Sequence, residues 1–312
     1  MTASIAFVFP GQGSQAVGML GELAATEPLI EEVFAEASAA LGYDLWRLCQ
    51  EGPVEQLNQT DKTQPAILTA SVALWRLWSA RSDVRPAYVA GHSLGEYSAL
   101  VAAGSLQLAD AVRLVARRGA LMQQAVPAGT GAMAAILGLE NADVEAACAE
   151  AAQGEVVSAV NYNAPGQVVI AGAAAAVERA IEACKERGAR RAMQLPVSVP
   201  SHCELMRPAA EQFAAEVSKV GLKEPQIPLV QNVTAAAVTD LAGLEQNLLA
   251  QLYSPVRWVE SMVWLSGQGV NSFVECGPGR VLGGLNKRCV KGATNHALDT
   301  PDALAATLAA LN

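Results

Sequence analysis

Histidine is scarce in this chain, with only His92, His202 and His296 among 312 residues. Any reaction that needs an imidazole base must draw on one of these three. Paired cysteines are missing too: Cys49, Cys148, Cys184, Cys203, Cys276 and Cys289 are scattered without a C-x-x-C pair. So many separate thiols fit a reducing compartment, and no metal site is expected from them. Long apolar runs are absent from the start, Met1-Thr2-Ala3-Ser4-Ile5-Ala6-Phe7-Val8-Phe9-Pro10, which has no basic leader and too short an apolar stretch for a signal core or a membrane span. The expectation is a cytoplasmic protein with no membrane partner. A net charge of -9 excludes a general nucleic-acid surface, and an acidic partner would need a local basic patch. No internal repeat or low-complexity linker breaks the chain beyond an alanine-rich bias.

At 52% apolar content the chain can bury a large core, and its length allows one main domain with a smaller one inserted. Short apolar runs alternate with longer helical patterns: Ile5 to Phe9, Leu29 to Leu41, Ala66 to Ala80, then Ala87 to Ala90. This rhythm predicts an α/β fold with a mostly parallel, covered sheet. It changes after Pro127-Ala128-Gly129-Thr130-Gly131. Strands at 132–138, 156–162, 167–171 and 189–197, with helices at 141–152 and 173–187, spell βαββαβ, a ferredoxin-like subdomain. After Pro200 the first rhythm resumes, with a helix from His202, a strand Ile227 to Val230, a helix near Leu244 to Trp264 and a strand Ser272 to Glu275. The predicted division is 1–128 with 199–312 as the large domain and 129–198 as the insert, with a crevice between them for a ligand.

Gly91-His92-Ser93-Leu94-Gly95 follows the apolar run Ala87-Tyr88-Val89-Ala90 and precedes the helical pattern Leu94 to Ala103. Strand, sharp turn and helix with serine at the apex is the arrangement that exposes a nucleophilic oxygen, because glycine on either side tolerates the crowding. An ordinary strand-to-helix turn can carry the same five residues, so partners must decide. His92, adjacent to Ser93, should point away and serve in packing. His296 lies in a polar tail segment, where exposure to solvent is expected. His202 follows Val199-Pro200-Ser201, and Ser201 with Glu204 spells S-x-x-E, which predicts the first turn of a helix and a neutral, basic ring. No acidic third member presents itself, so a carbonyl is left to fix the tautomer, and Ser93 with His202 reads as a dyad.

The N–H of Leu94, next after the nucleophile, is the first oxyanion donor. Pro10-Gly11-Gln12-Gly13-Ser14-Gln15 follows the first strand and nominates the N–H of Gln12 as the second. The same stretch matches the dinucleotide fingerprint G-x-G-x-x-A, weakened by Pro10 at the turn and by Glu31 and Glu32, which lie inside a helical pattern. Arg118 falls on the apolar stripe Ala111, Leu114, Val115 and Met122, so it requires an anion. That anion is either an internal carboxylate or the free carboxylate of a substrate, held by a bidentate pair.

Phe9-Pro10-Gly11-Gln12-Gly13-Ser14-Gln15, Gly91-His92-Ser93-Leu94-Gly95-Glu96-Tyr97, Arg118-Gly119, Asn163-Ala164-Pro165-Gly166-Gln167, Pro200-Ser201-His202, Gln251 ahead of Tyr253-Ser254-Pro255-Val256-Arg257-Trp258, and Glu275-Cys276-Gly277-Pro278-Gly279 stand in one order. Together they resemble the malonyl-CoA:acyl carrier protein transacylases of bacterial type II fatty acid synthesis, an acyltransferase family, from the first strand to about Arg288. The resemblance implies a hydrolase-like α/β domain with an inserted ferredoxin-like subdomain. It also implies ping-pong transfer of malonyl from malonyl-CoA through a serine ester to the phosphopantetheine thiol of acyl carrier protein. No cofactor is implied, since the coenzyme A thioester is itself a substrate. Residue by residue it implies Ser93 as nucleophile, His202 as base, Arg118 as carboxylate binder, Gln12 and Leu94 as oxyanion amides and Gln251 as the carbonyl that orients the histidine.

Related polyketide acyltransferases often place an aromatic residue before the histidine where this chain has Ser201, so exclusion of methylmalonyl and the choice between fatty acid and polyketide carriers stay open. A serine esterase or thioesterase would use the same turn and base without needing Arg118, and a carrier-binding scaffold would leave Ser93 inert. Two basic clusters qualify for carrier docking: Lys185, Arg187, Arg190 and Arg191 around the end of the insert, and Arg280, Lys287, Arg288 and Lys291 after Gly277-Pro278-Gly279. The expectation is that they flank the crevice from opposite units.

Overall fold

Ile5-Ala6-Phe7-Val8-Phe9 is apolar on both sides of the pleat, and the strand it forms, β1 (Ser4–Phe9), is covered on both faces, as a strand between two helical layers must be. The structure, a computed structural model, describes residues 4–197, 199–238 and 240–312. Residues 1–3, 198 and 239 lie outside the described residues, among them the expected last residue of the insert. The further strands are β2 (Tyr88–Gly91), β3 (Gly131–Leu137), β4 (Val157–Ala164), β5 (Gln167–Ala173), β6 (Arg191–Gln194), β7 (Leu229–Val230), β8 (Val270–Glu275) and β9 (Thr294–Ala297). Five of them form one sheet in the order β7-β2-β1-β8-β9, with every pairing parallel. The helix Thr60–Arg81, buried along most of its length, packs beside this sheet, where Phe7 meets Trp75 edge-on and Trp78 at a tilt.

The other four strands form an antiparallel sheet in the order β4-β5-β3-β6, and the helices Asn141–Ala152 and Ala174–Glu186 complete the βαββαβ order. One face of this sheet packs on its two helices through small side chains such as Ala132, Ala134, Ala147 and Ala180. Its other face, Met133, Val160, Val169 and Ala171, packs on Cys203, next to His202. Two backbone bonds stitch the sheets' territories together, Tyr162 N–H to the Val256 carbonyl at 3.0 Å and Val256 N–H to the Val160 carbonyl at 2.8 Å.

The structure corrects the sequence reading in several places. The helix expected over Leu244 to Trp264 is two helices, Leu241–Ala250 and Trp258–Gly267, because Pro255 cannot continue the first and residues 251–257 turn into the site. The expected last strand of the insert, 189–197, is reduced to Arg191–Gln194. The chain ends in two elements that the pattern did not announce, β9 and the helix Pro301–Leu311, which is capped by Thr300 Oγ1 accepting from Ala303 N–H at 3.2 Å. Among the described residues no helix is long and apolar enough to cross a membrane.

Candidate active site

Four segments of the site leave the carboxyl ends of parallel strands, Pro10 to Ser14 after β1, the serine turn after β2, Gln231 and Asn232 after β7, and Cys276 to Gly279 after β8, the side on which open α/β sheets bind ligands. Gln64 and Arg118 come from helices, Gln251 from a helix end and His202 from the loop after β6. The serine turn is closed by direct backbone packing. A Cβ on Gly91 would lie 1.9 Å from the Gly95 carbonyl carbon, and one on Gly95 would lie 2.0 Å from the Phe9 carbonyl oxygen, so neither position accepts a side chain. Ser93 takes φ 53, a strain on the order of 1–3 kcal/mol. Asn232 restrains the turn from the far side, its Oδ1 accepting from Ser93 N–H at 2.7 Å and its Nδ2 donating to the Gly91 carbonyl at 2.6 Å. Two such bonds, at roughly 0.5–1.5 kcal/mol each, are enough to offset that strain.

Ser93 Oγ and His202 Nε2 are 2.7 Å apart, and His202 Nδ1 lies 2.7 Å from the Gln251 carbonyl oxygen. A carbonyl only accepts, so the proton sits on Nδ1 and Nε2 is free to take the serine proton. His202 does not start a helix as expected. Its own φ is 67, its N–H donates to the Leu252 carbonyl at 2.9 Å, and the helix proper begins at Arg207 after a single 3-10 turn, Glu204–Met206. The S-x-x-E pattern forms no capping box, because Glu204 is drawn into a bidentate pair with Arg207 at 2.7 and 2.8 Å. The ring is nevertheless held neutral: burial, then the nearby Arg118 charge, push its pKa down to about 3 against the pull of the Gln251 carbonyl. His92 points away from the serine, with Nε2 2.7 Å from Asn163 Oδ1 and its ring against Trp258. His296 is half-buried on β9 instead of free in solvent, because that segment pairs with β8.

Arg118 is fully buried and its guanidinium meets no carboxylate within salt-bridge distance among the described residues. It donates from Nη1 to Gln64 Oε1 at 3.0 Å and from Nη2 to Gln251 Oε1 at 2.9 Å, and stands 5.3 Å from the centre of the Tyr97 ring. Nε has no acceptor among the described residues. Removing a guanidinium from water costs several kcal/mol, and two neutral amide acceptors plus a ring face leave it without a directly bound anion, buried Glu96 acting on it only across the Gln251 side-chain amide. Neighbouring Arg117 and Arg113, by contrast, reach Glu216 and Asp110 at the surface.

The Leu94 and Gln12 amides have no acceptor among the described residues. Leu94 is buried at the start of the helix Gly95–Ala102, while the Gln12 side chain is exposed, with its Oε1 3.5 Å from Gln64 Nε2. Gly11 lets two backbones meet: a Cβ there would lie 2.5 Å from the His92 carbonyl oxygen, so β1's loop packs on the serine turn. The dinucleotide fingerprint fails, since no helix follows that loop until the single turn Gly21–Ala24, and the fingerprint needs a helix N-terminus at the phosphates.

Five side chains of the site were not found from the sequence: Gln64, Glu96, Gln231, Asn232 and the side chain of Gln251, whose Nε2 donates to the Ser93 carbonyl and to Glu96 Oε2, both at 3.0 Å. The basic clusters are less separate than expected. Arg288 binds the Pro165 carbonyl and Gln167 Oε1, Gly138 N–H donates to the Gly166 carbonyl at 2.8 Å, and Arg190 packs over Gly138, so both clusters meet at one end of the antiparallel sheet. Lys185, Arg187 and Arg280 are neutralised by Glu182, Glu150 and Asp299. Arg190, Arg191 and Lys287 are exposed with no carboxylate in reach among the described residues.

The sequence profile of the acyl transferase domain family matches residues 6–302. Malonyl CoA-acyl carrier protein transacylases of Salmonella typhimurium and Escherichia coli are each 59% identical over 303 residues, 97% of this chain and 98% of theirs. An acyl carrier protein S-malonyltransferase from Vibrio cholerae superposes with a TM-score of 0.96 at 57% identity, over 98% of this chain and 100% of that one. A malonyl-transacylase solved in complex with a type II PKS acyl-carrier protein superposes at 0.97 and 52% identity, over 99% of this chain and 100% of that one. A serine turn, a carbonyl-oriented imidazole and a buried guanidinium on this sheet thus coincide with likeness along nearly the whole chain, which belongs to the acyl transferase domain family, among the malonyl CoA-acyl carrier protein transacylases.

Proposed function

We propose that the chain moves malonyl from malonyl-CoA to the phosphopantetheine thiol of acyl carrier protein in fatty acid biosynthesis, through an ester on Ser93. The observation that carries this reading is Arg118: a fully buried guanidinium without a carboxylate partner, one amide away from the serine–histidine pair. The distal carboxylate of malonate supplies the missing anion. A plain esterase or thioesterase has no use for that charge, and a scaffold has no use for an imidazole 2.7 Å from a strained serine.

In the first half-reaction Ser93 Oγ bonds to the thioester carbon while its proton passes to His202 Nε2. The oxyanion is received by the N–H groups of Leu94 and Gln12. The carbon–sulfur bond then breaks, and coenzyme A leaves as the thiol with the proton from His202. In the second half-reaction the carrier's thiol gives its proton to His202 and attacks the ester, and Ser93 recovers its proton as the C–O bond breaks. The Gln251 carbonyl supports the imidazolium in between. The chemistry asks for no cofactor or metal beyond the two substrates.

In the same reading the antiparallel sheet marks an insert over 129–198 within a large unit of 1–128 and 199–312, and Arg190, Arg191, Lys287 and Arg288 receive the acidic carrier. The relative solved with a type II PKS carrier makes a polyketide carrier a second acceptor to test. A cytoplasmic setting suits the six free cysteines. Intact-protein mass spectrometry with malonyl-CoA alone tests the covalent step.

A further inference from the structure

Glu96 is the one charged residue of the helix Gly95–Ala102, which directly follows the nucleophile, and it is fully buried. Its carboxylate meets three donors: Gln231 Nε2 at 3.0 Å on Oε1, and Asn232 N–H at 2.9 Å with Gln251 Nε2 at 3.0 Å on Oε2. An environment made only of donors fits the ionised, acceptor-only form. Burial pushes the Glu96 carboxyl up from its ordinary value, while those donors and the Arg118 charge pull it back.

Two of the three donors are the residues that hold the reacting groups. Asn232 clamps the strained turn by accepting from Ser93 N–H and donating to the Gly91 carbonyl. Gln251 offers its carbonyl to His202 Nδ1 and its Oε1 to Arg118 Nη2. Nucleophile, base and carboxylate binder are therefore each one residue away from the same carboxylate. We propose that Glu96 is a positioning residue for acyl transfer: its buried carboxylate locks Asn232 and Gln251, and through them sets Ser93, His202 and Arg118 in register.

Charge adds to geometry. Across the Gln251 side-chain amide Glu96 faces Arg118, so its negative charge helps hold the guanidinium at the carboxylate-binding position.

The inference rests on serine acylation by malonyl-CoA, so wild-type protein is assayed beside each variant: wild type that stays unacylated overturns the function proposed above, not the role of Glu96. Single-turnover acylation and carrier transfer are measured for Glu96→Gln and Glu96→Asp, with melting temperatures. Glu96→Gln keeps the volume but turns one oxygen into a donor facing a donor and removes the charge. The expected result is a fall in the acylation rate constant of about 10²-fold, near the low end of what positioned proton transfer contributes, with KM for malonyl-CoA within about threefold and partial recovery in Glu96→Asp. A carboxylate that only fills the core leaves the rate constant of Glu96→Gln at the wild-type level, or makes the Asp variant the worse of the two, and either outcome overturns the proposal. If Glu96→Gln does not fold, Glu96→Asp decides, because it keeps the charge but draws the carboxylate back from Asn232 N–H and Gln251 Nε2: a loss of about tenfold or more in rate constant at unchanged KM supports the proposal, and a wild-type rate constant overturns it.

Discussion

Ser93 and His202, 109 positions apart in the chain, both take left-handed backbone, φ 53 and 67, and meet through Oγ and Nε2 at 2.7 Å. A non-glycine residue in that region costs roughly 1–2 kcal/mol, strain held here where the nucleophile needs it. Ser93→Gly should therefore be more stable than Ser93→Ala by about 1 kcal/mol, the relief being reduced by the larger chain entropy of unfolded glycine. Urea unfolding of the two inactive variants checks this, and a glycine variant no more stable than the alanine variant contradicts it.

Arg118→Ala should lose malonyl transfer while accepting acetyl. The substitution removes the partner of the distal carboxylate and, with it, the penalty on acyl groups that leave a buried guanidinium unpaired. The ratio of kcat/KM for malonyl-CoA to that for acetyl-CoA is the readout. Equal losses on both substrates would make Arg118 a structural residue only.

Because His202 is held down to about 3, chiefly by burial and then by Arg118, its ring is neutral far below the ordinary histidine range. Modification of Ser93 by a neutral acylating reagent should then show no inflection near pH 6.5, and a clear one there would contradict the geometry. The linkage has a definite sign. The folded-state pKa is depressed, so the stability tied to the neutral ring is present above the unfolded value of about 6.5 and is lost as pH falls from there toward the folded value. Relative to His202→Gln, wild type should lose about 1.4 kcal/mol per pH unit below 6.5, measured by urea unfolding at a series of pH values.

The serine turn was legible because strand, turn and helix are contiguous, and Gly91 and Gly95 announce the crowding that the backbone contacts confirm. The ferredoxin-like insert was legible for the same reason, its six elements following one another with clear periods. His202 was found by elimination among three histidines, yet its local structure was misread: Ser201 and Glu204 match a helix start, but Arg207 and the Leu252 carbonyl compete successfully for the groups involved. Gln64, Gln231 and Asn232 left no trace because their partners lie far away in sequence. Glu96 left a faint one, a lone charge in the apolar helix Gly-Glu-Tyr-Ser-Ala-Leu-Val-Ala. Pro255 and the Thr300-Pro301 pair were signals for the broken helix and the last helix that the periodicity reading passed over.

Charge reversal at Arg190, Arg191 and Lys287 should raise KM for the carrier several-fold and flatten its salt dependence, leaving acylation by malonyl-CoA intact. These three side chains are exposed and lack a carboxylate partner among the described residues, whereas Arg288 also ties its helix to the Pro165 turn. Reversal of Arg288 alone should therefore lower stability as well as carrier affinity. An unchanged carrier KM in the triple variant places docking elsewhere.

The covalent step is open to one direct measurement, the intact mass of the protein after brief mixing with malonyl-CoA and no carrier. Wild type should gain the mass of one malonyl group per chain, lose it on addition of the carrier's thiol, and Ser93→Ala should gain nothing. Wild type that stays unmodified, or a Ser93→Ala variant that is labelled to the same extent, would contradict acyl transfer through this serine.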